Sequence, residues 1–249
     1  MLGNSRWALV ASVCVLLVAC ENVKSEDVDT DALYADLRVT ATGDGASRVG
    51  AWLRVGGGLS NTYLDLSSGD SLTARQGESI KTLARQSNVL GEVWYEESFA
   101  IDAENTPFLI SLTRASTDPS ACGTGHDAPN SNVSLPAPFT LSAPTADASF
   151  SRAADDIPVA WAESGKPDPM TVHFSGGCIV GRSIAVSGDP GTATIPHSMI
   201  EPIRDHETES CRVTITVERR RAGALDPNYG EGGTISAAHV RSIDVLSTP

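Results

Sequence analysis

Few places in this 249-residue chain have residue types and spacings suited to chemistry. The run Gly181-Arg182-Ser183-Ile184-Ala185 comes within one residue of the G-x-S-x-G elbow, which works by exposing its serine on a strand-to-helix turn of an α/β sheet. Ser183 sits instead in a run that reads as strand, so the match is expected to be coincidental. Five histidines, His126, His173, His197, His206 and His239, are scattered, with neither H-E-x-x-H nor a paired Cys/His spacing among them. His173 alternates outward along its strand and reads as a solvated histidine. The stretch from Asp226 to Gly233 puts Asp226, Asn228 and Glu231 on a glycine-rich loop. Such oxygens can hold calcium, but a tight site takes six or more of them and the EF-hand spacing is missing, so a solvated hairpin tip is the competing reading. The run Arg219-Arg220-Arg221 can present guanidinium groups to an acidic partner or glycan; the plainer reading is a strand end that balances nearby carboxylates and deters aggregation. No acid, base and nucleophile stand out as a set. The chain is therefore read as a binding or structural module with no catalytic residue, against the alternative of a metal-dependent or other envelope enzyme built from dispersed residues.

The most specific chemistry lies at the N-terminus. Arg6 precedes an uncharged run from Trp7 to Cys20, so a basic start leads into an apolar middle and a small-residue end, the anatomy of a signal peptide. As a helix these residues would cover roughly 21 Å, short of the roughly 30 Å of hydrocarbon in a bilayer. The closing residues Leu17-Val18-Ala19-Cys20 resemble the lipobox of bacterial lipoproteins. That resemblance implies alkylation of the Cys20 thiol by a diacylglyceryl group, cleavage after residue 19 and acylation of the freed amine. Two or three acyl chains, palmitate among them, anchor stably where one holds marginally. The alternatives are an ordinary secretory signal with an incidental Cys20, or a buried N-terminal strand with no targeting role. Glu21 in place of Asp after the cysteine favours the outer membrane within the cell envelope.

Loss of residues 1 to 19 removes only Arg6 among the charged residues, taking the formal charge from −13 to −14. Such acidity argues against nucleic acid and leaves envelope proteins or glycans as partners, with the membrane reached through lipid. Of five cysteines, Cys14 leaves with the signal and Cys20 takes the lipid. Cys122, Cys178 and Cys211 remain, in an oxidising compartment. Cys211 is in phase with Val213, Ile215 and Val217, and Cys178 with Met170, Val172 and Phe174 unless a bulge intervenes, so an inter-sheet bridge between Cys178 and Cys211 is expected. Cys122, in a loop by composition, is left as a free thiol, an intermolecular link or the true partner of either.

The elements that must position these residues read as strands. Residues 20–33 are acidic and aperiodic and suggest a solvated tether. From Tyr34 apolar residues alternate: Leu37, Val39 and Ala41, then Val49, Ala51, Leu53 and Val55, with further short runs separated by turn residues. About seven strands precede the proline-broken stretch 132–141, which is confined to an edge or irregular closing strand. A link is expected near residues 142–149, dividing the chain into β-sandwich domains at 34–142 and 143–249. Trp161, closing the alternating run Ile157–Trp161, is similar to the tryptophan on the second strand of fibronectin type III domains, which packs between the sheets. Taken whole, the chain resembles uncharacterised bacterial lipoproteins with tandem immunoglobulin-like domains behind a lipobox. An all-β fold of two such sandwiches is the expectation.

Overall fold

The computed structural model describes residues 22–67, 69–115 and 126–249, so Cys14, Cys20 and Cys122 lie outside the described residues. The first half gives β1 (Asn22–Lys24), β2 (Leu33–Ala41), β3 (Ser47–Val55), β4 (Tyr63–Asp65), β5 (Ser71–Gln76), β6 (Ser79–Thr82), β7 (Ala84–Ser87), β8 (Val93–Phe99), β9 (Pro107–Thr113) and β10 (Ala128–Ser134). The second gives β11 (Leu141–Ala143), β12 (Ser149–Ser151), β13 (Ile157–Trp161), β14 (Met170–Gly176), β15 (Ile179–Val186), β16 (Thr192–Ile195), β17 (Cys211–Ala222) and β18 (Gly233–Thr248). Short 3-10 turns interrupt the strands; no described helix is long and apolar enough to cross a membrane.

Alternation explains the pairing. In β2 the side chains of Leu33, Ala35, Leu37, Val39 and Ala41 all point inward and are buried, while Arg38 points out beside Trp52. Two apolar cores result. The first packs the face of β2, β3, β4 and β8 against the four-stranded sheet β10-β9-β5-β6, around Leu37, Leu53, Phe99, Phe108 and Ile110. The second packs β14, β17 and the end of β18 against the three-stranded sheet β11-β13-β16, around Trp161, Val172, Phe174 and Ile215. Each is a β-sandwich. In the second, the order β11-β13-β16 facing β18-β17-β14-β15, with β12 parallel to the end of β18, is an immunoglobulin-like arrangement.

The two sandwiches share their last hairpin. β18 has 16 residues and pairs with β17 from Ser236 to Ser247. Its first part, Gly233 to His239, runs parallel to β2 and completes the first sandwich, where Ile235 and Ala237 enter the first core along with Tyr229. Its last part, with Val245, belongs to the second core. At about 3.3 Å per residue this one strand covers roughly 50 Å. Gly233 begins it with φ +140°, and a β carbon there would sit 1.9 Å from the carbonyl oxygen of Ala35, so only glycine lets β18 lie against β2.

Three expectations need correction. Residues 22–33 are docked, not a solvated tether: β1 pairs in parallel with β4, and the buried Arg114 guanidinium donates to the carbonyls of Ser25 (2.6 Å) and Val28 (2.9 Å) and to Thr30 Oγ1 (3.2 Å). Burying Arg114 beside Asp70 demands such acceptors, and this segment supplies them. The crossing between cores falls at residues 136–138, between Leu135 of the first and Phe139 of the second; Leu141–Ala143 is already strand β11. Cys178 and Cys211 are bridged, but within one sheet, since Cys178 lies in the turn between β14 and β15 and β14 pairs directly with β17. The register shift beside it falls on β15, where Ile179 to Arg182 spans one residue more than Gly176 to Phe174, so β14 keeps its phase and Cys178 faces the second core.

Candidate functional site

At the junction of the sandwiches, Arg219 and Arg221 project from one side of β17 and Arg220 from the other. Arg219 is wholly buried. Its guanidinium donates to the carbonyls of Ala137 (2.9 Å) and Pro138 (3.2 Å) on the crossing segment, to Ala162 O (2.9 Å), and to Asp189 Oδ2 (2.8 Å). Burial works against charge on Asp189, yet hydrogen bonds from Ser164, the Trp161 indole and Arg219 outweigh it and hold that carboxyl down at about 2. The Phe139 ring lies 5.0 Å from the Arg219 guanidinium and 5.5 Å from that of Arg241. Arg221 pairs with Asp168 (2.6 Å) and reaches across to Asn105 Oδ1 (2.8 Å) and Leu135 O (2.9 Å) of the first sandwich. The arginine run is thus a clamp on the crossing segment. It satisfies backbone carbonyls that would otherwise be buried unpaired.

His239 lies opposite Arg219 in the hairpin and is fully enclosed, with neither ring nitrogen in a well-formed hydrogen bond. Burial, then the positive charges of Arg241 and Arg219, push its pKa down to about 4, opposed by Asp102.

On the open face of the second sandwich the strands bring together a constellation that the sequence left apart. His173 pairs with Ser183 across β14 and β15, and His173 Nδ1 lies 2.7 Å from Ser183 Oγ. Glu218 Oε2 is 3.8 Å from His173 Nε2, and its other oxygen accepts from Arg220 Nε at 2.5 Å. Serine, histidine and carboxylate stand in the order of a nucleophilic triad. Acyl transfer also needs donors aimed at an oxyanion and a place for substrate. Here all three residues lie on a flat, solvated sheet whose amides serve the ladder. Two surface hollows, of about 290 and 150 Å³, are lined by Arg75, Phe108 and Asn132 and by Asp147, Arg212 and Leu246, away from the three. The turn with Gly176 opposite Ile179 would by itself put Arg182 opposite His173; the extra residue in β15 brings Ser183 there instead, so spacing alone did not signal the pair. Glu218 carried none.

The suggested calcium ligands do not converge. Asp226 is buried and spends both oxygens on backbone amides, of Asn130 (2.7 Å) and Asn228 (2.9 Å), while the Asn228 side chain donates to Asp127 O (2.6 Å) and Glu231 is exposed. Gly230 in the loop serves close contact: a β carbon on it would lie 2.2 Å from Asp31 O. Among the described residues no cluster of three or more His, Cys, Asp or Glu side chains is arranged to hold a metal. His197 pairs with Asp156 and His206 with Glu209, both at the surface, and His126 is exposed.

No protein-family model matches the chain, and no curated protein matches it. Among solved structures it is similar to the FN1–FN3 domains of chicken CNTN1, at 11% identity and TM-score 0.28, over 92% of this chain and 68% of that one. It is also similar to Titin-A168169 (11% identity, TM-score 0.25, 86% and 96%) and to a segment of two fibronectin type III domains from chicken tenascin (11%, 0.24, 86% and 98%). Values this low carry no weight beside the strand order itself.

Proposed function

We propose that the chain is a lipid-anchored protein of the bacterial cell envelope, held at the outer membrane through Cys20, that acts as a rigid binding or structural module. The anchor rests on the Leu17–Cys20 residues alone, and the observation that carries the module reading is the continuous β18 with its arginine clamp, which joins two sandwiches into one elongated body. In such a body the chemistry is presentation: β18 fixes how far the end loops of the second sandwich, around residues 176–179 and 203–210, stand from the first. Those loops carry exposed Arg204, Glu207 and Glu209, suited to a protein or glycan partner. The net charge of −13 weighs against nucleic acid.

Cys20→Ser should lose labelling by radioactive palmitate and leave the membrane fraction; retention in that fraction without label would contradict the anchor. A pull-down from envelope fractions should recover a partner that saturates and is competed away by free protein.

The Ser183, His173 and Glu218 contact favours a second reading, an envelope hydrolase. A fluorophosphonate probe decides between them: covalent labelling of Ser183, lost in His173→Ala, supports the enzyme, and an unlabelled serine supports the module.

A further inference from the structure

The register of the first sandwich brings a set of exposed apolar side chains to one end of the molecule. β3 ends at Val55 and returns through the loop 56–62 into β4, with Arg54 opposite Tyr63. β8 runs antiparallel to β3, with Ala51 opposite Tyr95, so the loop 88–92 that feeds β8 comes to the same end. Leu59 on one loop and Val89 on the other are fully exposed, and Leu90 is 75% exposed. β1 is parallel to β4 with Asn22 beside Tyr63, so Asn22 lies at this end too. Residue 20 is two residues before Asn22, and two residues span at most about 7 Å. The second sandwich lies at the other end of β18, away from all of this.

We infer that this end of the first sandwich is a membrane-contact surface, with Leu59, Val89 and Leu90 entering the bilayer beside the acyl chains on Cys20. The inference rests on the lipid anchor proposed above and adds an orientation to it. A two-residue leash cannot let the domain drift, so whatever flanks Asn22 meets the headgroups, and three large apolar side chains in contact with water there gain by leaving it. Exposed Asp29, Asp31 and Glu231 sit near the start of β2 and β18 at the same end, which favours zwitterionic over anionic lipid. The second sandwich then points away from the membrane, with its 203–210 loop outermost.

The test uses the full, lipidated protein in phosphatidylcholine vesicles carrying a nitroxide-labelled lipid. Environment-sensitive fluorophores are placed, in a Cys122→Ser background, on Leu59→Cys, Val89→Cys or Thr208→Cys, and vesicle flotation and the mass of the N-terminal peptide are recorded alongside. Blue-shifted, quenched emission at 59 and 89 with unshifted emission at 208 is the expected result. Vesicle-bound, lipidated protein whose labels at 59 and 89 behave like the one at 208 would overturn the contact surface and leave the anchor standing. Protein that fails to float and has no lipid on Cys20 would overturn both. Leu59→Asp combined with Val89→Asp should still float while losing the quenching of a label on Leu90→Cys; retained quenching there counts against apolar insertion.

Discussion

His239 is the residue at which protonation acts most directly on this fold. Its imidazole is enclosed between two arginines, so the folded form resists the proton down to about 4, whereas an unfolded imidazole accepts it near 6.5. Between those values the unfolded chain binds a proton that the native chain does not, so stability is full above 6.5 and is lost as pH falls through the window. Between pH 7.5 and 5 the loss should be about 2 kcal/mol by urea titration. His239→Leu should flatten that slope; an unchanged slope would place the proton uptake elsewhere. Arg219 acts by charge balance. Arg219→Met should cost about 3 to 5 kcal/mol, because Asp189 would keep its enclosure and lose its cation. Asp189→Asn should cost less, since the amide still accepts from the guanidinium, and equal losses in the two variants would contradict this.

Among elements, strands with clean alternation were legible from residue order alone. Ile157–Trp161, Met170–Gly176 and Cys211–Ala222 bury every second side chain as their patterns require, and Trp161 packs in the second core. β1 was illegible because nothing in its three residues alternates; its place is fixed by Tyr63 and by the docking of residues 25–30 on Arg114. The partition of β18 was illegible for a related reason: a parallel pairing with β2 joins residues about two hundred positions apart, and local pattern carries no register over such a distance. The Cys178–Cys211 pair was readable as two inward cysteines, but local pattern did not carry the direct pairing of β14 with β17 that puts both in one sheet. Of the candidate site, Ser183 and His173 were visible singly, while their contact required the hairpin register. The bridge closes a separation of 33 residues, so Cys178→Ala with Cys211→Ala should destabilise the protein by about 3 to 4 kcal/mol. Hydrogen exchange should rise first in β14, β15 and β17; a rise confined to the first sandwich would contradict the assignment.

For the whole molecule, the shared hairpin makes the two cores one cooperative system. Unfolding the second sandwich removes β17 and the far part of β18, which bares the other edge of the part of β18 that pairs with β2 and takes away the clamp on the exit segment of the first. An open β18 edge would also invite pairing between molecules. Joined in this way, the sandwiches hold a fixed separation from whatever anchors Asn22, the property that a presenting module needs.

Differential scanning calorimetry on the intact oxidised protein tests this coupling most directly. A single transition whose calorimetric enthalpy equals its van't Hoff enthalpy is the predicted result. Two separable transitions, one of them surviving in a fragment of residues 22–142, would show that the sandwiches fold independently and that β18 does not unite them.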